Sequence, residues 1–423
     1  MKKYQVEAWD TLQHLFKVKK INNHILHFSA EFSGCLDIAV LKEAINTVIE
    51  AFPLIRCGYK ERSYRRPLWY DMGHTADEMF SVIETSDPAS EVSKFLGSET
   101  DLENGPQMKV GLIRSQNKDT LCILINHMLC DAAGFKEVLY LLSSAYRSLI
   151  NKTAPSLTSQ MTDRSIHQLV KACSLKEKWN IYFSKNSLNP HGEQQFDFQG
   201  DLSSPFIEMR KIPEHQFSQM KEYAKKKQVS INDIMLTAFQ RTLFQTFGSC
   251  SALPCAIDLR RFMKDHKANG ICNMISNICC QTSFRSGDCF ETTLGQVKKE
   301  MDIQKTNPQS IRNVLLLEKI YHIFPYKIVW RAMRHNFENP PIAFTNIGIL
   351  DEQKLSFGQS PVMQNAYMTG SIKYKPYFQI SLSTFRQEAA LCVNLYGTQE
   401  DRKQISDFLD ALLSEAVHQS SES

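Results

Sequence analysis

A histidine four residues ahead of an aspartate, in the run Asn126-His127-Met128-Leu129-Cys130-Asp131-Ala132-Ala133-Gly134, is the arrangement with the clearest chemical use in this chain. An imidazole titrates at about 6.5 when unperturbed, so His127 suits general-base work near neutral pH. Asp131 can orient that ring, or hold the local fold by pairing with an arginine. Cys130 offers a thiolate nucleophile, although its neighbours Leu129 and Ala132 are apolar. A plainer reading is a helix start whose Asp131 caps backbone amides beside a packed histidine, and these residues alone leave the choice open.

Other groups carry weaker signals. Lys225-Lys226-Lys227, with Lys221 one turn earlier, would attract phosphates or an acidic partner, but lysines at a helix C-terminus also favour the dipole and water. Ser383, Thr384 and Asn346 could each donate to an oxyanion or simply satisfy backbone at strand ends. Twelve cysteines contain no CxxC pair, which argues against structural zinc and dithiol redox chemistry and for small buried thiols in a reducing cytoplasm. No metal site is expected.

The elements that must position these groups follow from periodicity. Ile25 to Phe32 alternates as a half-buried strand, and Asp37 caps a helix with Ile38, Leu41, Ile45, Val48 and Ile49 on one face, ended by Pro53. Leu54 to Tyr59 reads as a strand. Met108 to Arg114 and Leu121 to Ile125 form a hairpin around Ser115 to Asp119, and the second run, apolar throughout, predicts burial on both faces. The 126–134 motif therefore sits between a buried strand and a long helix over Gly134 to Ile150. From Asn151 to Ser204 the pattern weakens into a connection. Beyond it come a strand over Phe206 to Ile212, a helix over Glu214 to Lys227, and a helix opened by Ser230 with Asp233 as capping-box partner. Further strands are expected at Ala252 to Asp258, Ile275 to Phe284, Ile342 to Thr345, Phe378 to Phe385 and Ala390 to Tyr396, with a final helix over Gln399 to Val417. This succession predicts an α/β fold with mixed sheets in two halves, 1–195 and 196–423.

Composition narrows the function. The chain has 423 residues, 43% hydrophobic and 22% charged, enough apolar surface for a large core, and its net charge of +4 does not suit a dedicated nucleic-acid binder. No apolar run reaches the roughly 18 residues that span a bilayer. With Glu7 and Asp10 near the start, no export signal is expected, so the chain is expected to be a soluble, cytoplasmic monomer.

The order of segments resembles the CoA-dependent acyltransferase superfamily, which includes nonribosomal peptide condensation domains, chloramphenicol acetyltransferase, plant BAHD enzymes and wax-ester and alcohol acyltransferases. His127 and Asp131 fill the two defining positions of its HxxxD signature. Leu36-Asp37 through Pro53-Leu54-Ile55-Arg56, Val229 to Ala238, and Asp258-Leu259-Arg260-Arg261 followed by Gly270 and Asn273 match three further segments in order. The resemblance implies two chloramphenicol-acetyltransferase-like halves around a central channel. In it, His127 would act as base between an acyl thioester on CoA or a carrier protein, arriving in trans, and a hydroxyl or amine acceptor. No tightly bound cofactor is implied. Asp131 would be structural, with Arg260 as first and Arg56 as second candidate partner, and Asn126, Gly134, Asn346 and Ser383 would line the motif and channel. The sequence departs from the pattern at Asn126, where a second histidine often stands, and at Ala132, where glycine is common. If position 132 needed a positive φ or a close approach to substrate, a methyl group there would weaken catalysis. A noncatalytic module that binds a carrier or partner is therefore the alternative.

Overall fold

The structure, a computed structural model, describes every residue except 63, 172, 184–193, 250, 251, 264, 284, 308, 422 and 423, and omits the side chains of 309 and 418–421. Its strands are β1 (Lys3–Gln5), β2 (Ile25–Phe32), β3 (Cys57–Lys60), β4 (Leu68–Asp71), β5 (Phe80–Glu84), β6 (Met108–Ser115), β7 (Lys118–Asn126), β8 (Pro205–Ile212), β9 (Leu253–Asp258), β10 (Ile275–Cys280), β11 (Ile342–Leu350), β12 (Met363–Thr369), β13 (Phe378–Phe385) and β14 (Glu388–Tyr396). They form a five-stranded sheet in the order β12-β2-β7-β6-β5, a six-stranded sheet β10-β9-β11-β13-β14-β8, and a small sheet β1-β4-β3. Both large sheets mix parallel and antiparallel neighbours, as the α/β reading expects.

Strand β7 shows why the motif is rigid. Leu121, Ile123 and Ile125 enter one core with the helices Ile38–Ala51 and Ala132–Ile150, while Cys122 and Leu124 enter a second cluster on the opposite face. Burial on both faces removes any gain from a register slip, so the strand delivers His127 at a fixed point. Its hairpin to β6 turns on Gln116 and Asn117 alone, both with positive φ, which matches the strand twist.

Several boundaries differ from expectation. Leu54 to Arg56 belongs to a 3-10 turn, Pro53–Arg56, and the strand begins only at Cys57. Pro53 opens that turn because its fixed φ suits a helical first position and its missing N–H costs nothing there. Strand β11 runs past Thr345 to Leu350 through a bulge between Asn346 and Gly348, where Gly348 takes a φ of +83°. The strand expected to reach Phe284 ends at Cys280, and Phe284 lies outside the described residues. Helices Phe290–Thr306, Gln309–Ile323 and Tyr326–Asn336 fill the interval before β11.

The least expected element is β12. It comes late in the chain yet pairs antiparallel with β2 at the edge of the first sheet, and the following segment bridges Lys373 to both Asn22 and Leu395. The late strand covers what would otherwise be an open edge.

Candidate active site

His127 lies in the turn between β7 and the helix Ala132–Ile150. Asn126 makes that turn: its Oδ1 accepts from Met128 N–H (2.9 Å) and its Nδ2 donates to Gln107 Oε1 (2.7 Å), while Gln107 donates to the Cys57 and Gly105 carbonyls (2.9 and 2.8 Å). The residue standing where a second histidine is common thus serves the backbone.

The turn is clamped from three sides. His127 N–H donates to the His24 carbonyl (2.7 Å). Asn273 Nδ2 donates to the carbonyls of His127 (2.9 Å) and Met128 (3.2 Å). Arg164, itself buried and paired with Asp10 (2.9 Å), donates to the Leu129 carbonyl (2.9 Å). Sequence reasoning missed Arg164 and Gln107, because neither carries a motif or a period. Arg164 lies in the connecting segment, where nothing but its charge in a polar stretch marks it.

The imidazole has a defined tautomer. His127 Nδ1 lies 2.9 Å from the Cys130 carbonyl, which can only accept, so Nδ1 carries the proton and the neutral ring keeps its lone pair on Nε2. Burial holds the pKa of His127 below the ordinary histidine value, and the charge of Lys373 adds to the effect against the opposing pull of Asp131. The ring is therefore a free base at neutral pH, and half-buried rather than sealed.

Asp131 faces away from that ring. Its Oδ1 accepts from Gly134 N–H (2.9 Å) and Arg260 Nη2 (3.1 Å), and its Oδ2 from Arg260 Nη1 (2.8 Å) and Met274 N–H (2.7 Å). Burial opposes the charge, but Arg260 and the two amides outweigh it and hold the carboxyl below the usual aspartate range. Arg260 is thus the partner of Asp131, tying the first-sheet motif to the end of β9. Arg56 is not: it pairs with Asp71 (3.0 Å) and Glu50 (2.8 Å) beside the small sheet.

The remaining candidates are distributed elsewhere. Asn346 is exposed at the β11 bulge, accepting from Gly348 N–H (2.9 Å) and donating to Asn232 (3.3 Å). Ser383 is buried and accepts from Met368 N–H (3.2 Å), joining β13 to β12. Neither bonds the His127 turn. Cys130 is fully buried and burial pushes its thiol far up, which removes the thiolate nucleophile reading. Lys225 to Lys227 are exposed at the end of the helix Glu214–Lys227, with Lys227 near Glu291 (3.8 Å).

Ala132 is the first residue of its helix and is not among the residues of positive φ, so its methyl group meets no backbone strain. The glycine that matters is Gly134. A Cβ there would sit 2.7 Å from Cys130 Cβ and 3.2 Å from the Cys272 carbonyl. Alanine gains about 1 kcal/mol of helix propensity, whereas overpacking against a main-chain-anchored Cβ costs about 1–3 kcal/mol. Gly134→Ala should therefore lower the thermal midpoint, and a melt equal to the parent's would show that the turn yields freely.

Beside Gly134 and Arg260 opens a cavity of about 1120 Å³, with Lys136, His266, Lys354 and Arg386 on its walls and Asp258, Asp351 and Glu352 among them. No helix among the described residues is long and apolar enough to cross a membrane.

Comparison with known proteins bears on this geometry. The model of the condensation-domain family matches residues 11–249. A mycosubtilin synthase polypeptide of Bacillus subtilis is 26% identical over 129 residues, which is 29% of this chain and 5% of that protein, so the chain spans a small fraction of that relative. Among solved structures, the epimerization domain from the third module of tyrocidine synthetase B superposes with a TM-score of 0.69 at 14% identity, over 100% of this chain and 97% of that one. A trichothecene 15-O-acetyltransferase from Fusarium sporotrichioides gives 0.70 at 13% identity, over 98% and 94%. At such identities the likeness is one of fold.

Proposed function

The chain belongs to the condensation-domain family, and from that premise we propose that it is an acyltransferase moving an acyl group from a CoA or carrier-protein thioester to a hydroxyl or amine. The observation that carries this reading is the bond from His127 Nδ1 to the Cys130 carbonyl, which leaves Nε2 unprotonated in a turn whose backbone Asn273 and Arg164 hold. In the proposed step Nε2 takes the proton of the acceptor O–H or N–H as that atom attacks the thioester carbonyl. The tetrahedral adduct then collapses, the C–S bond breaks, and His127 returns the proton to the departing thiolate. Such base assistance is worth about 10² to 10⁴ in rate, with positioning of the two substrates supplying much of the rest. Asp131, held by Arg260, positions the turn. The cavity beside Gly134 would admit the slender pantetheine arm of the donor, arriving in trans.

The helical backbone at Ala132 answers the backbone-strain ground for a noncatalytic module and leaves that module as the alternative, which the same assay tests. The test is release of free thiol from acyl-CoA and from an acyl-carrier protein, with and without alcohols and amines. Acceptor-dependent release is expected. Acceptor-independent release would mark a hydrolase instead, and deuterium uptake at the acyl α-carbon without thiol release would mark an epimerase.

A further inference from the structure

The helices Gln309–Ile323 and Tyr326–Asn336 form a hairpin that takes no part in the proposed step. Only Phe324 and Pro325 join them. Pro325 has no N–H with which to continue the first helix, and its carbonyl opens the second by accepting from Val329 N–H (3.2 Å). The base of the hairpin is anchored. Tyr326 and Val329 pack with Ala8 and Tyr321, and Trp330 and Met333 lie against them. The Tyr321 hydroxyl donates to the Val6 carbonyl (3.0 Å), and Arg66 Nε donates to the Tyr321 carbonyl (3.0 Å) near the end of the first helix.

The tip is turned outward and is apolar. Ile323 is 72% exposed, Ile328 58% and Phe324 50%, with Ile320 exposed one turn back. Single exposed apolar residues are ordinary, but four large ones within nine positions at a two-helix turn make a patch, and such patches mark contact surfaces. The charge beside them has one sign. From Lys319 to Phe337 the sequence holds four Lys and Arg and two His, and no Asp or Glu. Lys319, Lys327, Arg331 and Arg334 are all exposed, and Lys327, Arg331 and His335 recur every fourth residue on the face away from Tyr326 and Val329. The loop between β3 and β4 adds exposed Arg65 and Tyr64, whose ring lies 5.0 Å from Lys327 Nζ. The acids that border this surface are engaged or distant from the tip: Glu318 is buried with Ser165 (2.8 Å) and His322 (3.2 Å), Glu61 bonds His14 (3.1 Å), and Glu338 lies exposed beyond the end of the second helix.

We propose that this hairpin seats on an anionic lipid bilayer, with Ile323, Phe324 and Ile328 entering the headgroup boundary and Lys327, Arg331 and Arg334 set against the acidic headgroups. A convex apolar tip needs no fitted pocket in a lipid surface, whereas a protein partner has to supply one. A second copy of the chain does not suit the tip, because it would set these cations against themselves. The proposal does not rest on the acyltransferase reading.

The test is co-sedimentation of the full-length protein with vesicles. Binding to phosphatidylcholine mixed with phosphatidylglycerol should be about tenfold or more tighter than to phosphatidylcholine alone, and should weaken as salt rises. Ile323→Ser with Phe324→Ser, and separately Lys327→Gln with Arg331→Gln, should each weaken it about tenfold or more. Lys225→Gln with Lys226→Gln, which removes as many cations from another helix, should leave it unchanged. All these side chains are exposed, so each variant should melt like the parent. Equal binding to the two kinds of vesicle, or full-strength binding by the Ile323 and Phe324 double variant, would overturn the seated tip. An equal loss in the Lys225 and Lys226 double variant would reduce the effect to net charge and overturn the site as well. Binding to poly-glutamate that both hairpin variants lose, without vesicle binding, would overturn the lipid in favour of an acidic protein.

Discussion

Replacing His127 by alanine should cut kcat for acceptor-dependent thiol release by about 10²-fold or more, with little change in the thermal midpoint. The expectation of a stable variant comes from what holds the turn. Asn273, Arg164 and the His24 carbonyl all bind its backbone, and the ring contributes the bond to the Cys130 carbonyl, a net loss of about 1 kcal/mol. The pH profile gives a second check. Activity requires the neutral ring, so it falls as pH drops through the pKa of His127. Burial sets that value below the ordinary one of about 6.5, and the acid limb should lie below it too. A fully active His127→Ala enzyme, or an acid limb well above pH 7, would remove this histidine from the reaction.

How much of this is readable in the sequence depends on whether the signal is local. Strand β2, the helices Ile38–Ala51 and Glu214–Lys227, and the Ser230 capping box appear where periodicity and caps place them, because each is decided by residues within a few turns of one another. The His127 to Asp131 spacing is local as well, and the resemblance it carries implies Arg260 ahead of Arg56 as the partner of Asp131. What escapes is non-local. Strand β12 reads Met-Gln-Asn-Ala-Tyr-Met-Thr, without alternation strong enough to declare it, and it is a strand because the edge of β2 waits at the other end of the chain, with Met363 opposite Phe32. Arg164 binds a carbonyl of a distant turn and Gln107 binds those of Cys57 and Gly105, and carbonyls leave no mark in a sequence.

Asp131→Ala should be the most destabilising single change at the site, by about 3–5 kcal/mol. The carboxylate, 2% exposed, accepts four hydrogen bonds, so its removal strips the cap from the helix Ala132–Ile150, frees the Met274 amide and leaves buried Arg260 with half-exposed Asp258 at 3.1 Å and the Cys272 carbonyl at 3.0 Å. The direction with pH follows from the lowered folded pKa. Between the unfolded value of about 3.9 and the lower folded one, the unfolded chain binds the proton first. The Asp131 contribution is therefore complete above about pH 5 and fades as pH falls through the folded pKa. In Asp131→Asn that part of the acid dependence should vanish, and a double-mutant cycle with Arg260→Gln should return a coupling of about 1–3 kcal/mol. Activity should fall together with stability in all these variants, because the same bonds that tie β9 to the helix start also fix the turn that aims Nε2. A variant at Asp131 that melts like the parent but has lost thiol release would contradict this account, since it would mean that the carboxylate acts on the reacting atoms and not through Arg260.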